Sequence, residues 1–151
     1  MTKGEWRKLY LDKRLALSAS AHTEWSEALC NKFFQSLDLS FIRVLHTFLP
    51  IKKNKEPDTW LIIDRIKTKF PNIRLSLPKV NHETGELVNF YWEGTDQIIE
   101  NKWGISEPRQ GTVIPPDKID MVLVPLLVFD QEGNRIGYGK GESDFLAILP
   151  A

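Results

Sequence analysis

The chain has one cysteine, Cys30, among 151 residues, which excludes an internal disulfide and a cysteine-built zinc site. It also has no excess of either charge: 20 basic side chains offset 20 acidic ones. A general electrostatic pull toward nucleic acid or an anionic membrane is therefore not expected, and any anion site must be local. No stretch is long and apolar enough to span a bilayer, and the start MTKGEWRKLYLDKR lacks the apolar core of a signal peptide. A cytoplasmic location is the expectation. Histidine is scarce too: His22, His46 and His82 share no metal-ligand spacing, which favours scattered structural or surface roles. Cys30 falls in an apolar helical pattern and reads as a small buried hydrophobe.

What remains is a hydrophobic content of 42%, enough for one globular domain over residues 1–151. Thr2 and Glu5 have capping-box spacing, so a helix is expected from there to about Leu17. Lys3, Arg7 and Arg14 point to one side of it, where spacing alone favours a solvated basic face. Trp25, Ala28, Leu29 and Phe33 recur at helical intervals and predict a second amphipathic helix from Ala21 to Ser36. Phe41 to Leu49 reads as a strand ending at Pro50. Asp58 can cap a helix from Thr59 through Phe70 with Leu61, Ile62 and Ile66 inward.

IRLSLP and ELVNFYW read as strands joined through NHETG. A long proline- and glycine-rich connection, Trp103 to Lys118, follows; loops of that length in compact domains are often functional. Ile119 to Asp130 is nearly continuous in apolar residues and suits a strand buried on both faces. The alternation of helices and strands defines an α/β class.

The final motif, Gly133 to Phe145 (GNRIGYGKGESDF), fits neither common nucleotide signature. Gly137-x-Gly139-x-Gly141 lacks the dinucleotide spacing, and Lys140 is followed by glycine instead of the serine or threonine of a P-loop. The physics of the segment still favours an anion. Alternate glycines allow close backbone approach, Arg135 and Lys140 add charge, and a preceding buried strand would put the loop at a strand's carboxyl end. A glycine-rich turn with two solvated cations is the plain alternative.

Five ordered pieces together resemble the ATP-dependent 5-formyltetrahydrofolate cyclo-ligase (methenyltetrahydrofolate synthetase) family. They are Lys3-x-x-x-Arg7, Glu56-Pro57-Asp58-Thr59, Trp103-Gly104-Ile105-Ser106-Glu107-Pro108, Asp120-Met-Val-Leu-Val-Pro125, and Phe129-Asp130-x-x-Gly133-x-Arg135-x-Gly137-x-Gly139-Lys140-Gly141. The resemblance implies a Rossmann-like three-layer α/β sandwich with a mostly parallel central sheet, here able to lack the family's C-terminal strands.

It further implies conversion of 5-formyltetrahydrofolate to 5,10-methenyltetrahydrofolate with ATP as co-substrate and Mg2+, without nucleic-acid or membrane partners, in a monomer. By the same resemblance Lys3, Arg7, Arg135, Gly137, Tyr138, Gly139, Lys140 and Gly141 hold ATP, and Arg135 joins Glu56 in catalysis. Glu56 and Trp103 meet the folate, and Asp144 helps carry the metal.

Where family members place two aromatics and an arginine after the glycines, this chain reads Glu142-Ser143-Asp144-Phe145-Leu146-Ala147, and it stops at Ala151. Omitted residues, truncation, and a non-catalytic folate- or nucleotide-binding homologue are the readings this leaves open.

Overall fold

The structure, a computed structural model, describes residues 1–81 and 83–137. Two helices come first, α1 (Lys3–Leu15) and α2 (Ala19–Ser36), followed by strand β1 (Val44–His46), helix α3 (Trp60–Lys69), and strands β2 (Arg74–Val80) and β3 (Leu87–Tyr91). Short strands β4 (Ile98–Glu100), β5 (Ser106–Pro108), β6 (Met121–Val122), β7 (Val128–Phe129) and β8 (Arg135–Ile136) complete the described chain. The central sheet runs β3-β2-β1-β6. β1 lies parallel to both β2 and β6, and only β3 runs against its neighbour. The fold is thus α/β with a mostly parallel centre. β4–β5 and β7–β8 form separate two-stranded antiparallel sheets.

Local chemistry explains where these elements begin. Thr2 accepts the Glu5 amide while the Glu5 carboxylate accepts the Thr2 amide, closing the expected capping box on α1. Ser18 caps α2 by accepting the Ala21 amide. Asp58 accepts the Trp60 amide at the start of α3, as expected of a residue satisfying an orphan helix donor. The β2–β3 turn forms because Asn81 Oδ1 accepts the Glu83 and Thr84 amides and Gly85 supplies a φ of 74°.

The core gathers Leu45, Leu75 and Leu77 from the sheet with Ile62, Ile63 and Ile66 from α3 and Cys30 and Phe33 from α2. Burying a side chain of this size contributes roughly 1.5–3 kcal/mol, so the α2–α3–sheet contact is the main source of cohesion. Cys30 is buried as expected, and its desolvated thiol is pushed above its ordinary pKa.

Several sequence expectations need correction. Ser26, Cys30 and Phe33 are the buried residues of α2, whereas Trp25 and Leu29 of the expected apolar face are exposed. The helix is turned because Ser26 Oγ accepts the Asp58 amide at the mouth of α3, drawing that face inward. The strand expected from Phe41 to Leu49 narrows to Val44–His46. The apolar run from Ile119 to Asp130 is two short strands, β6 and β7, and its members are half-buried or exposed. β6 is the sheet's edge in the described residues, so only one of its flanks is paired. The long connection is also more ordered than a free loop. β5 pairs with β4, Phe90 bridges Val113, and the Ile114 amide donates to Asn89 O.

Candidate functional site

Strand order locates the site before any side chain is considered. From β1 the chain passes through α3 to β2 on one side, and later returns as β6 on the other side of β1. The order therefore reverses between β1 and β6, the kind of switch point outside whose carboxyl ends α/β sheets bind ligands. Two segments leave that crevice: residues 47–59 from β1, and the β7–β8 hairpin from β6. They carry Glu56 and Gly137.

Glu56 is only 3% exposed, which is rare for a carboxylate and demands a polar partner. Its Oε1 accepts the Ile51 amide at 2.8 Å across the 3₁₀ turn Lys52–Asn54. Its carbonyl accepts from His22 Nε2 at 2.7 Å; a carbonyl can only accept, so that ring nitrogen carries the proton. Thr59 Oγ1 donates to Phe48 O at 2.7 Å. Each polar member of the Glu56-Pro57-Asp58-Thr59 piece thus has a defined anchoring bond, and the Glu56 side chain is fixed at the end of β1.

The first helix is not a solvated basic face. Arg7 Nε donates to Gly137 O at 2.9 Å, and Arg14 Nη2 donates to Leu126 O at 2.8 Å. The four-residue step from Lys3 to Arg7 and the seven-residue step from Arg7 to Arg14 keep the three on one side, but two of the three cations turn onto the segment leaving β6, while Lys3 is exposed at the helix start. The glycine segment follows β8 of the small hairpin instead of a buried sheet strand, because the apolar run breaks after β6. The hairpin turn explains part of its motif. Asp130 Oδ1 accepts the Glu132 and Asn134 amides, Asn134 Nδ2 donates to Asp130 Oδ2, and Gly133 takes a φ of 88°. The Asn134 side chain and then backbone amides hold the Asp130 carboxyl below its ordinary pKa. Arg135 pairs opposite Phe129 in this hairpin.

Trp103 sits in the β4–β5 turn, where Asn101 Oδ1 accepts the Trp103 and Ile105 amides and Gly104 has a φ of 74°. The residue is 43% exposed, with Lys102 Nζ 4.6 Å from the ring centroid. Lys53 Nζ donates to Trp103 O at 3.1 Å, so the Glu56 turn and the Trp103 turn adjoin. The structure therefore brings Arg7 to Gly137, and Glu56 to the neighbourhood of Trp103, with α1 in contact with both the β7–β8 hairpin and the 3₁₀ turn before Glu56. Tyr138, Gly139, Lys140, Gly141 and Asp144 lie outside the described residues.

Sequence reasoning missed His22, Lys53 and Lys55 as supports of the site, and took Arg14 for a solvated cation. For Arg14 the seven-residue spacing from Arg7 was a usable signal. The others have none, since their partners are backbone carbonyls distant in sequence. Among the described residues no cluster of three or more His, Cys, Asp or Glu could hold a metal, and no helix is long and apolar enough to cross a membrane. A concavity of about 630 Å3 runs along the free flank of β6, lined by Leu37, Phe41, Ile42, Met121 and Leu123. It contains none of the expected site residues, so topology and the placement of polar groups are the better guides here.

The fold and this arrangement define a Rossmann-like α/β protein with its polar groups converging at the β1/β6 switch point. Residues 1–148 match the model of the 5-formyltetrahydrofolate cyclo-ligase family. The chain belongs to that family.

Among individual relatives, it is 28% identical over 145 residues to a 5-formyltetrahydrofolate cyclo-ligase of Mycoplasma pneumoniae, covering 95% of this chain and 76% of that protein. A probable 5-formyltetrahydrofolate cyclo-ligase of Schizosaccharomyces pombe is 39% identical over 56 residues, but the match spans only 35% of this chain and 28% of the yeast protein. The solved structure of a 5,10-methenyltetrahydrofolate synthetase from Aquifex aeolicus superposes with a TM-score of 0.80 at 29% identity, over 97% of this chain and 72% of that one.

Proposed function

We propose that this protein converts 5-formyltetrahydrofolate and ATP to 5,10-methenyltetrahydrofolate, ADP and phosphate. The observation that supports this most directly is the buried Glu56 carboxylate, held by Ile51 beside the Trp103 turn, in a segment that α1 touches as it touches the hairpin leading to Gly137. A phosphoryl-transfer enzyme needs cations and amides on one partner and an orienting carboxylate at the other.

In this reading the formyl oxygen of the folate attacks the γ-phosphorus of ATP and ADP leaves. N10 then closes on the activated formyl carbon, losing its proton, and phosphate departs. Lys3, Arg7 and Arg135 neutralise phosphate oxygens, joined by the glycine-segment backbone from Gly137 to Gly141 and by Lys140. Glu56 orients the reacting nitrogens and is placed to take the N10 proton. Trp103 offers an aromatic wall for the pterin. Magnesium enters as MgATP, with Asp144 as its assigned protein contact. The working assignments for state and place are a monomer in the cytosol.

The test is the absorbance of 5,10-methenyltetrahydrofolate when purified protein meets 5-formyltetrahydrofolate with and without MgATP. A strictly ATP-dependent rise is expected. Binding of both ligands with no rise would instead establish a non-catalytic homologue.

A further inference from the structure

Lys55 is the one described residue other than glycine with a positive φ, at 48°, a region that lysine enters only at some cost and that a glycine would occupy freely. What it gains there is reach. From this backbone its ammonium donates to Leu15 O at 2.8 Å and also to Leu17 O. Leu15 closes α1, and Ala16 caps it. The last carbonyls of a helix are its orphan acceptors and its negative pole, so a cation placed there is doubly favoured. The next residue is Glu56, whose carbonyl is tied to His22 of α2.

We infer that Lys55 is a positioning residue that fixes the Glu56 carboxylate relative to α1, and so relative to the Arg7–Gly137 contact nearer the other end of that helix. This rests on the reading of Glu56 and Arg7 given above. With 13 residues, α1 is a rod about 20 Å long. Arg7 anchors it to the segment leaving β6, and Lys55 anchors its carboxyl end to the segment leaving β1. These two segments flank the switch point, and α1 sets their separation. Ser26 and Thr59 hold the start of α3, but neither bonds α1 in the described contacts. Releasing Lys55 leaves Glu56 attached to α2 and removes the ammonium tether to α1.

The test compares Lys55→Gly, which keeps the left-handed backbone and removes the ammonium, with Lys55→Arg, which keeps a cation. Lys55→Asn, which tolerates the same backbone but cannot reach the helix, serves if the glycine variant does not fold. In Lys55→Gly we expect kcat for methenyl formation to fall about tenfold while KM for MgATP stays within twofold. The Ile51 amide, bonded to Glu56, should exchange its hydrogen about tenfold faster by NMR. Lys55→Arg should recover both. A kcat that holds while thermal stability drops would make Lys55 merely structural and overturn the inference, as would an arginine variant no better than glycine.

The exchange measurement needs no turnover. If the unaltered protein makes no methenyl product, the proposed function fails, and unchanged Ile51 exchange in Lys55→Gly would separately refute the tether.

Discussion

Glu56, Arg7 and His46 illustrate three ways in which a single side chain can matter. Glu56→Gln keeps an acceptor for the Ile51 amide while removing the charge, so folding should persist. Loss of its proposed general-base or orienting role should lower kcat by about 10²–10⁴, with MgATP affinity nearly unchanged in a direct binding titration. Arg7→Met removes both the Gly137 contact and the cation proposed to face the ATP phosphates. KM for MgATP should rise about tenfold or more, since charge-assisted bonds are the stronger class. His46 does different work. It is 2% exposed, and Nδ1 lies 2.8 Å from Ser76 Oγ on the neighbouring strand.

Burial lowers the His46 pKa to about 4 from 6.5, so the fold holds a neutral ring that the unfolded chain protonates more readily. The stability this contributes is complete above the unfolded value and is lost as pH falls from 6.5 toward 4. Urea unfolding should show a loss of about 1.5 kcal/mol between pH 6.5 and 5 from this group alone. His46→Asn, which can still reach Ser76 without titrating, should flatten that slope.

At the scale of elements, α1 is the unusual member. It has no buried residue among its 13, so hydrophobic packing supplies less of its stability than it does for α2 and α3. Its capping box, its tethers through Arg7 and Arg14, and the ammonium of Lys55 do more. Thr2→Ala opens the capping box and should cost about 1 kcal/mol in denaturant unfolding.

The α2 outcome teaches the complementary lesson. Its apolar periodicity announced a helix, yet could not choose between the Trp25–Leu29 side and the Ser26–Cys30 side. A serine that accepts a bond from the start of α3 decided the rotation.

For the molecule as a whole, the segments that follow the adjacent strands β1 and β6 lead to Glu56 and to Gly137, and α1 is bonded to both segments, by Lys55 and by Arg7. Ligands that bind only the folded form must stabilise it by mass action. MgATP at 100 times its Kd should add about 2.7 kcal/mol, a thermal shift of roughly 5–10 °C for a chain of this size. 5-Formyltetrahydrofolate should act similarly. The ATP-induced shift should survive Glu56→Gln and shrink in Arg7→Met, a contrast that differential scanning fluorimetry can read directly.

Sequence alone determined the α/β class, the capping of α1, the burial of Cys30, and the identity of Glu56, Arg7 and Gly137 as residues of interest. These are legible because caps and periodicities are local, and because the ordered motifs resemble one family along nearly the whole chain. The folded structure decided which face of α2 is buried, that the long apolar run breaks into β6 and β7, and that Arg7 and Arg14 meet backbone carbonyls across the molecule. It also decided that Lys55 caps a helix 40 positions earlier in the chain. Such bonds end on carbonyls, which every residue possesses, so no side-chain pattern encodes the partner. Only the path of the backbone through space does.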